Sequence, residues 1–205
     1  MSRHKTRWFL LLVSITFLLS GCAMQSGSSG EQFSNPHLVT PERHRMWSFF
    51  KTRFFGEVKW ADWPSMADQV PTTTLELNTV QTPPPEHAQA TWIGHATVLV
   101  QYAGINVLTD PIFSNRASPV SFAGPRRITA PAISIDQLPD IDLVVISHNH
   151  YDHLDKRSVQ KLATKVRLWA VPTGLAEFIR DVIGADASVV ELGWWQQHET
   201  EHFSV

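Results

Sequence analysis

The chain of 205 residues has a single cysteine, Cys22, so no disulfide can form within it. It lacks an excess of either charge: 17 Lys and Arg against 19 Asp and Glu leave a formal −2, so no global basic field draws it to nucleic acid or anionic lipid. It also lacks the run of roughly 20 apolar residues that a permanent membrane-spanning helix needs, and it contains no internal repeat. What remains is an ordinary globular composition, 43% hydrophobic and 18% charged, enough for one domain.

The N-terminus reads as targeting rather than fold. Arg3, Lys5 and Arg7 precede an uncharged, mostly apolar run from Trp8 to Leu19, the length of a signal-peptide core. Leu19-Ser20-Gly21-Cys22 then resembles a bacterial lipoprotein signal, in which Cys22 is lipidated and becomes the first mature residue. The expectation is a signal peptide over 1–22 and a protein tethered to the bacterial cell envelope, at the outer membrane or the periplasmic face. Residues 23–40 are expected as a flexible tether. Residues 41–63 interleave Arg43, Arg45, Lys51, Arg53 and Lys59 with Trp47, Phe49, Phe50, Phe54, Phe55, Trp60 and Trp63. Such a segment either lies in a lipid headgroup layer or forms an amphipathic helix over the core. Residues 71–87, with Pro83-Pro84-Pro85, read as an extended connector.

From residue 86 the pattern becomes α/β. Residues 91–102 are rich in β formers, turn at Ala103-Gly104 and return over 105–109, which predicts a hairpin of two strands. Residues 142–147 form a short apolar run typical of a buried strand. Asp155 is placed to cap a helix over 156–163, followed by a strand over 167–171. Thr173 is placed to cap a second helix over 174–183, stopped by Gly184, before a strand over 187–192. Strands alternating with helices after a hairpin predict a sheet with helices packed on it.

Immediately after the buried strand comes His148-Asn149-His150-Tyr151-Asp152-His153, four metal-competent side chains in six residues. Alternation along an extended loop points His148, His150 and Asp152 to one side, and the turn into the helix brings His153 beside Asp152. Imidazole suits zinc, iron and manganese, and a carboxylate adds a harder oxygen that offsets charge. The loop leaves the carboxyl end of its strand, where open α/β sheets place ligand sites.

This His-x-His-x-Asp-His pattern resembles the metal signature of the metallo-β-lactamase superfamily. The blocks Thr91-Trp92-Ile93-Gly94-His95-Ala96-Thr97-Val98-Leu99-Val100, Leu108-Thr109-Asp110-Pro111-Ile112-Phe113-Ser114 and Gly193-Trp194-Trp195 are similar to the branch containing N-acyl-phosphatidylethanolamine-hydrolysing phospholipase D and its bacterial relatives. The resemblance covers roughly residues 86–205. It implies an αββα sandwich of which this chain holds the N-terminal half. It also implies two divalent metal ions, zinc foremost and iron or manganese as alternatives, with His148 and His150 on one and Asp152 and His153 on the other. A bridging hydroxide positioned by Asp152 would be the nucleophile, and a phospholipid or other phosphodiester the substrate. His95 and Asp110 are candidates for the hydrogen-bonding partners that ligating imidazoles need. The family's remaining ligands lie beyond the signature, so a chain ending at Val205 is expected to be truncated, with one apolar sheet face uncovered.

His198-Glu199-Thr200-Glu201-His202 matches the His-Glu-x-x-His motif of zinc proteases. That chemistry requires a helix and a third ligand downstream, and a polar turn between strands is expected here instead. The leading functional expectation is a lipid-anchored, metal-dependent phosphodiesterase acting on N-acyl-phosphatidylethanolamine-like lipids. Another ester, lactone or phosphodiester hydrolase of the same fold, or a non-catalytic metal-binding lipoprotein, are the alternatives.

Overall fold

The computed structural model describes residues 67–205 together with Lys51, Thr52, Phe55 and Gly56. Cys22, the expected signal sequence, the tether and most of the basic and aromatic segment lie outside the described residues. Contacts divide the chain into units 1–59 and 60–205. The four described residues of the first are exposed, and the sheet and candidate site belong to the second. Among the described residues no helix is long and apolar enough to cross a membrane.

Six strands lie side by side in sequence order: β1 (Gln89–Gly94), β2 (Thr97–Tyr102), β3 (Ile105–Thr109), β4 (Ile141–Val145), β5 (Val166–Pro172) and β6 (Val189–Leu192). The first three form an antiparallel meander. From β3 onward every pairing is parallel. The β2–β3 turn at Ala103 (φ 49) and Gly104 (φ 81) places both residues in the left-handed region that a tight hairpin turn favours. This gives the mixed α/β architecture that the alternating pattern implied.

The expected single strand over 91–102 is in fact two strands. Gly94 (φ 142) and His95 (φ 54) reverse the chain, and Gly94 pairs with Thr97 across the new turn. β propensity alone does not reveal this break, because Thr97 resumes β-forming sequence only two residues beyond His95. The turn is held from below by Thr109, whose hydroxyl donates to the Ala96 carbonyl (2.7 Å) and accepts from the Val98 amide (3.1 Å).

Two of the three parallel crossovers hold an α-helix: α2 (Lys156–Leu162) between β4 and β5, and α3 (Ala176–Ile183) between β5 and β6. Both crossovers step the same way across the sheet, so the right-handed rule places both helices on one face, where they touch each other. Beneath them, register aligns Leu99, Leu108, Val144, Trp169 and Val189 in one row across five strands. Leu99, Leu108 and Val144 are fully buried and Trp169 nearly so. Each such side chain contributes about 1.5–3 kcal/mol by leaving water. The opposite face carries Val98, Val100, Val107, Val145, Leu168 and Val190, all partly accessible.

Two further expectations are corrected. The connector 71–87 contains a helical turn, α1 (Leu77–Gln81), because Val80 is drawn fully into the core. The buried Gln101 amide secures it by donating to the Val80 carbonyl (2.9 Å). Helix α3 is not capped by Thr173: its N-cap is Leu175, which offers no side-chain acceptor. The Ala176 amide instead donates to Glu191 Oε1 of β6 at 2.7 Å, a carboxylate supplied by tertiary structure to the positive end of the helix. Asp155 does cap α2, accepting from the Arg157 amide, and Gly184 (φ 117) ends α3.

Candidate metal centre

Asp110 and the loop beyond β4 meet because β3 and β4 are parallel neighbours with Thr109 opposite Val145. One residue past β3 the pairing continues, with the Asp110 amide donating to the Val145 carbonyl at the end of β4 (2.9 Å). Asp110 then turns inward at φ 35 and is only 7% exposed. Thr97 supports that conformation: its buried hydroxyl donates to the Asp110 carbonyl (2.8 Å) and accepts from the Ile112 amide (3.0 Å).

The Asp110 carboxylate anchors both ends of the signature loop. Oδ1 accepts from the Ser147 amide (2.7 Å), while Oδ2 accepts from the Ser147 hydroxyl (2.8 Å) and from His153 Nδ1 (2.9 Å). A carboxylate only accepts, so His153 carries a proton on Nδ1, and in the neutral ring Nε2 is the bare nitrogen. Ser147 Oγ, having donated to Asp110, accepts from His148 Nδ1 at 2.9 Å, which leaves His148 Nε2 bare as well. Two imidazoles are thus set in the tautomer that a cation requires. Ser147 was not singled out in the sequence; its position between the end of β4 and His148 is the signal that marks it.

The structure brings the four signature residues together. The His148 ring lies 4.6 Å from that of His150 and 4.1 Å from that of His153, centroid to centroid. His148 Nε2 accepts from His150 Nδ1 at 3.1 Å, a proton that leaves Nδ1 when both nitrogens take one ion. Two nitrogens each about 2.0–2.1 Å from one tetrahedral zinc would stand about 3.3 Å apart, so this pair is close to a shared-ion spacing. Asp152 Oδ2 lies 3.5 Å from His153 Nε2 and 2.9 Å from His95 Nε2. Ligand atoms of His95, Asp152 and His153 all fall within 4.8 Å of one another. His95, expected only as a partner of the ligating groups, therefore stands as near to Asp152 as any signature residue does. Exposure rises from the Asp110 side chain at 10% to His95 at 50%, so the cluster opens outward from an anchored carboxylate.

The electrostatics suit cation binding. Burial, with the repulsion of His153 and His150, lowers the His148 pKa against the opposing pull of Asp110 and Asp152, and favours the neutral ring. Burial would raise the Asp152 pKa, but hydrogen bonds from its own backbone and from His95, with the fields of His153 and His95, outweigh it and hold the carboxyl below its ordinary value. Imidazoles, His148 among them held toward its neutral form, beside a carboxylate held below its ordinary pKa form a donor set that fits zinc, iron or manganese.

The His198–His202 motif is not a helix. His198 and Val205 exchange backbone hydrogen bonds at 2.7 and 3.0 Å, Glu199 bridges Ser204, and the Thr200 hydroxyl pins the turn between them. The one-turn helical spacing that would bring both histidines to a single zinc is absent.

Residues 105–205 match the Beta-lactamase superfamily domain. Over 116 residues it is 46% identical to N-acyl-phosphatidylethanolamine-hydrolyzing phospholipase D 1 of Caenorhabditis elegans, covering 54% of this chain and 32% of that one. A UPF0173 metal-dependent hydrolase of Aeropyrum pernix is 35% identical over 78 residues, covering 38% of this chain and 26% of that one. Among solved structures, the isothiocyanate hydrolase from Delia radicum gut bacteria aligns with a TM-score of 0.43 at 24% identity, over 55% of this chain and 43% of that one. The chain spans about a third or less of the length of these two sequence relatives.

Proposed function

We propose that this protein supplies the cation-binding signature loop of a metal-dependent hydrolase acting on a phosphodiester, with N-acyl-phosphatidylethanolamine-like lipids as the substrate class, and that lipidation at Cys22 holds it at the bacterial cell envelope. The observation that carries the reading is the Asp110–Ser147 anchor. One buried carboxylate and one hydroxyl set the tautomers of His153 and His148, so that two bare imidazole nitrogens stand within the same cluster as the ionised Asp152. The substrate class is supported by the likeness to a phospholipase D of that name. The envelope location is supported by the apolar N-terminal run before the lone cysteine.

His148 and His150 would hold one ion, and Asp152 and His153 the second. When bound, such ions polarise a phosphoryl oxygen and lower the pKa of water. The chain's own residues do the rest. Asp152 stays ionised at neutral pH, which offsets cationic charge; Asp110 keeps the His153 proton on Nδ1; Ser147 does the same for His148. No serine or cysteine nucleophile is called for by this arrangement.

The test is metal content of the purified protein by mass spectrometry, with hydrolysis of an N-acyl-phosphatidylethanolamine and of a generic phosphodiester, before and after Asp152→Asn. Bound metal with turnover that the substitution abolishes supports the reading. Turnover unchanged by Asp152→Asn overturns it. Bound metal without turnover on either substrate favours the non-catalytic, metal-binding alternative.

A further inference from the structure

We propose that Trp92 and His95 form a positioning arm for Asp152: the exposed indole locks the turn between β1 and β2, and the imidazole carried on that turn orients the carboxylate. Trp92 is 64% exposed, a large apolar ring left mostly in water. Its indole N–H nevertheless donates to the His95 carbonyl at 2.8 Å, closing the turn from the solvent side. His95 sits at φ 54, a left-handed conformation that few residues besides glycine adopt, histidine, asparagine and aspartate more often than the rest. Glycine would relieve that backbone, but glycine has no imidazole to reach Asp152, 57 residues later, at 2.9 Å. The left-handed turn and the reach thus belong to one residue.

The arm is braced on its other sides. Thr109 holds the Ala96 carbonyl from within the sheet. At Gly94 a Cβ would stand 2.9 Å from Arg127 Nη1, so the guanidinium occupies the space a side chain would need. Arg127 itself donates to the Ile112 and Ser114 carbonyls, tying the loop after β3 under the turn.

The hydrogen-bond chemistry assigns the proton. In the 2.9 Å contact between His95 Nε2 and Asp152 Oδ2 the carboxylate oxygen accepts, so the imidazole donates from Nε2. Cation binding by His95 through that nitrogen would require the opposite tautomer, bare at Nε2. The structure therefore assigns His95 to orienting Asp152, leaving the carboxylate's remaining lone pairs for a cation. Only this last consequence rests on the metal-hydrolase reading; the arm itself is testable without metal.

The experiment uses the full 15N-labelled chain, with imidazole 15N spectra of the metal-free protein and zinc affinity from competition with a chromophoric chelator. Trp92→Phe keeps an aromatic ring at an exposed position and removes the indole N–H that donates to the His95 carbonyl. The expected wild-type result is a His95 ring protonated on Nε2, which Trp92→Phe shifts toward a mixture of both tautomers. Zinc affinity should fall by about 10–100-fold in Trp92→Phe and in His95→Ala, and His95→Gln, whose amide N–H can reach the carboxylate, should recover most of it. A His95 tautomer unmoved by Trp92→Phe overturns the proposal, as does loss of the Nε2 proton when zinc binds. If the wild-type chain binds none of zinc, iron or manganese, the metal-hydrolase reading fails, while the tautomer result still decides the arm.

Discussion

Replacing Asp110 with asparagine separates its role in the site from its role in the backbone. Asparagine tolerates a positive φ as aspartate does, so the turn at φ 35 is not the variable. What changes is the acceptor set. The carboxylate takes three hydrogen bonds, at 2.7, 2.8 and 2.9 Å, from the Ser147 amide, the Ser147 hydroxyl and His153 Nδ1. An asparagine can keep the first through its carbonyl oxygen, but its NH₂ then faces two groups that had been donating. Hydrogen bonds to a charged group contribute about 1.5–3 kcal/mol each, and the Ser147 hydroxyl can rotate to accept instead. A net loss of about 2–3 kcal/mol is therefore expected, read as a shift of the urea midpoint. His153 can satisfy the new donor only by moving its proton to Nε2, the nitrogen that faces Asp152. Zinc affinity should accordingly drop by about 10–100-fold. The reasoning is refuted if Asp110→Asn leaves both the urea midpoint and the zinc dissociation constant at wild-type values.

Glu191→Ala removes the acceptor for the Ala176 amide, and with it the only side-chain cap of α3 among the described residues. It should cost about 1 kcal/mol, seen as a lowered thermal midpoint, and Glu191→Gln should recover part of it. In metal-free protein, stability should decline as pH falls below about 6.5, because the lowered His148 pKa means that the unfolded chain takes up a proton before the folded one does. That loss continues down to the folded-state pKa, and urea midpoints of His148→Gln across the same pH range should show a shallower slope. A separate loss should set in below about 3.8, as Asp152, depressed in the folded state, is finally protonated. An identical slope in wild type and His148→Gln would contradict the first of these assignments.

The parts of this protein legible from sequence alone are those decided by residues close together in the chain. Four metal-competent side chains in positions 148–153, directly after the apolar run of β4, predict a cation site at a strand end wherever the rest of the chain goes. The Asp155 cap and the Gly184 stop are likewise local, and both hold. The polar character of 198–205 and the lack of a helical apolar face predicted a turn there, and a turn forms.

Tertiary structure decided the rest, because sheet register brings together residues that no short window contains. Asp110 meets His153 across 43 positions, and His95 meets Asp152 across 57. Parallel pairing of β3 with β4 sets the first contact, and the β1–β2 turn sets the second. The same cause explains the elements that differ from expectation. Residues 91–102 have the composition of one strand, but the left-handed conformations at Gly94 and His95 divide it. Thr173 satisfies a capping rule, yet Glu191 arrives from β6 with a stronger, charged acceptor. The types of candidate ligand were written locally in the sequence; their orientation is set by hydrogen bonds that exist only once the sheet has assembled.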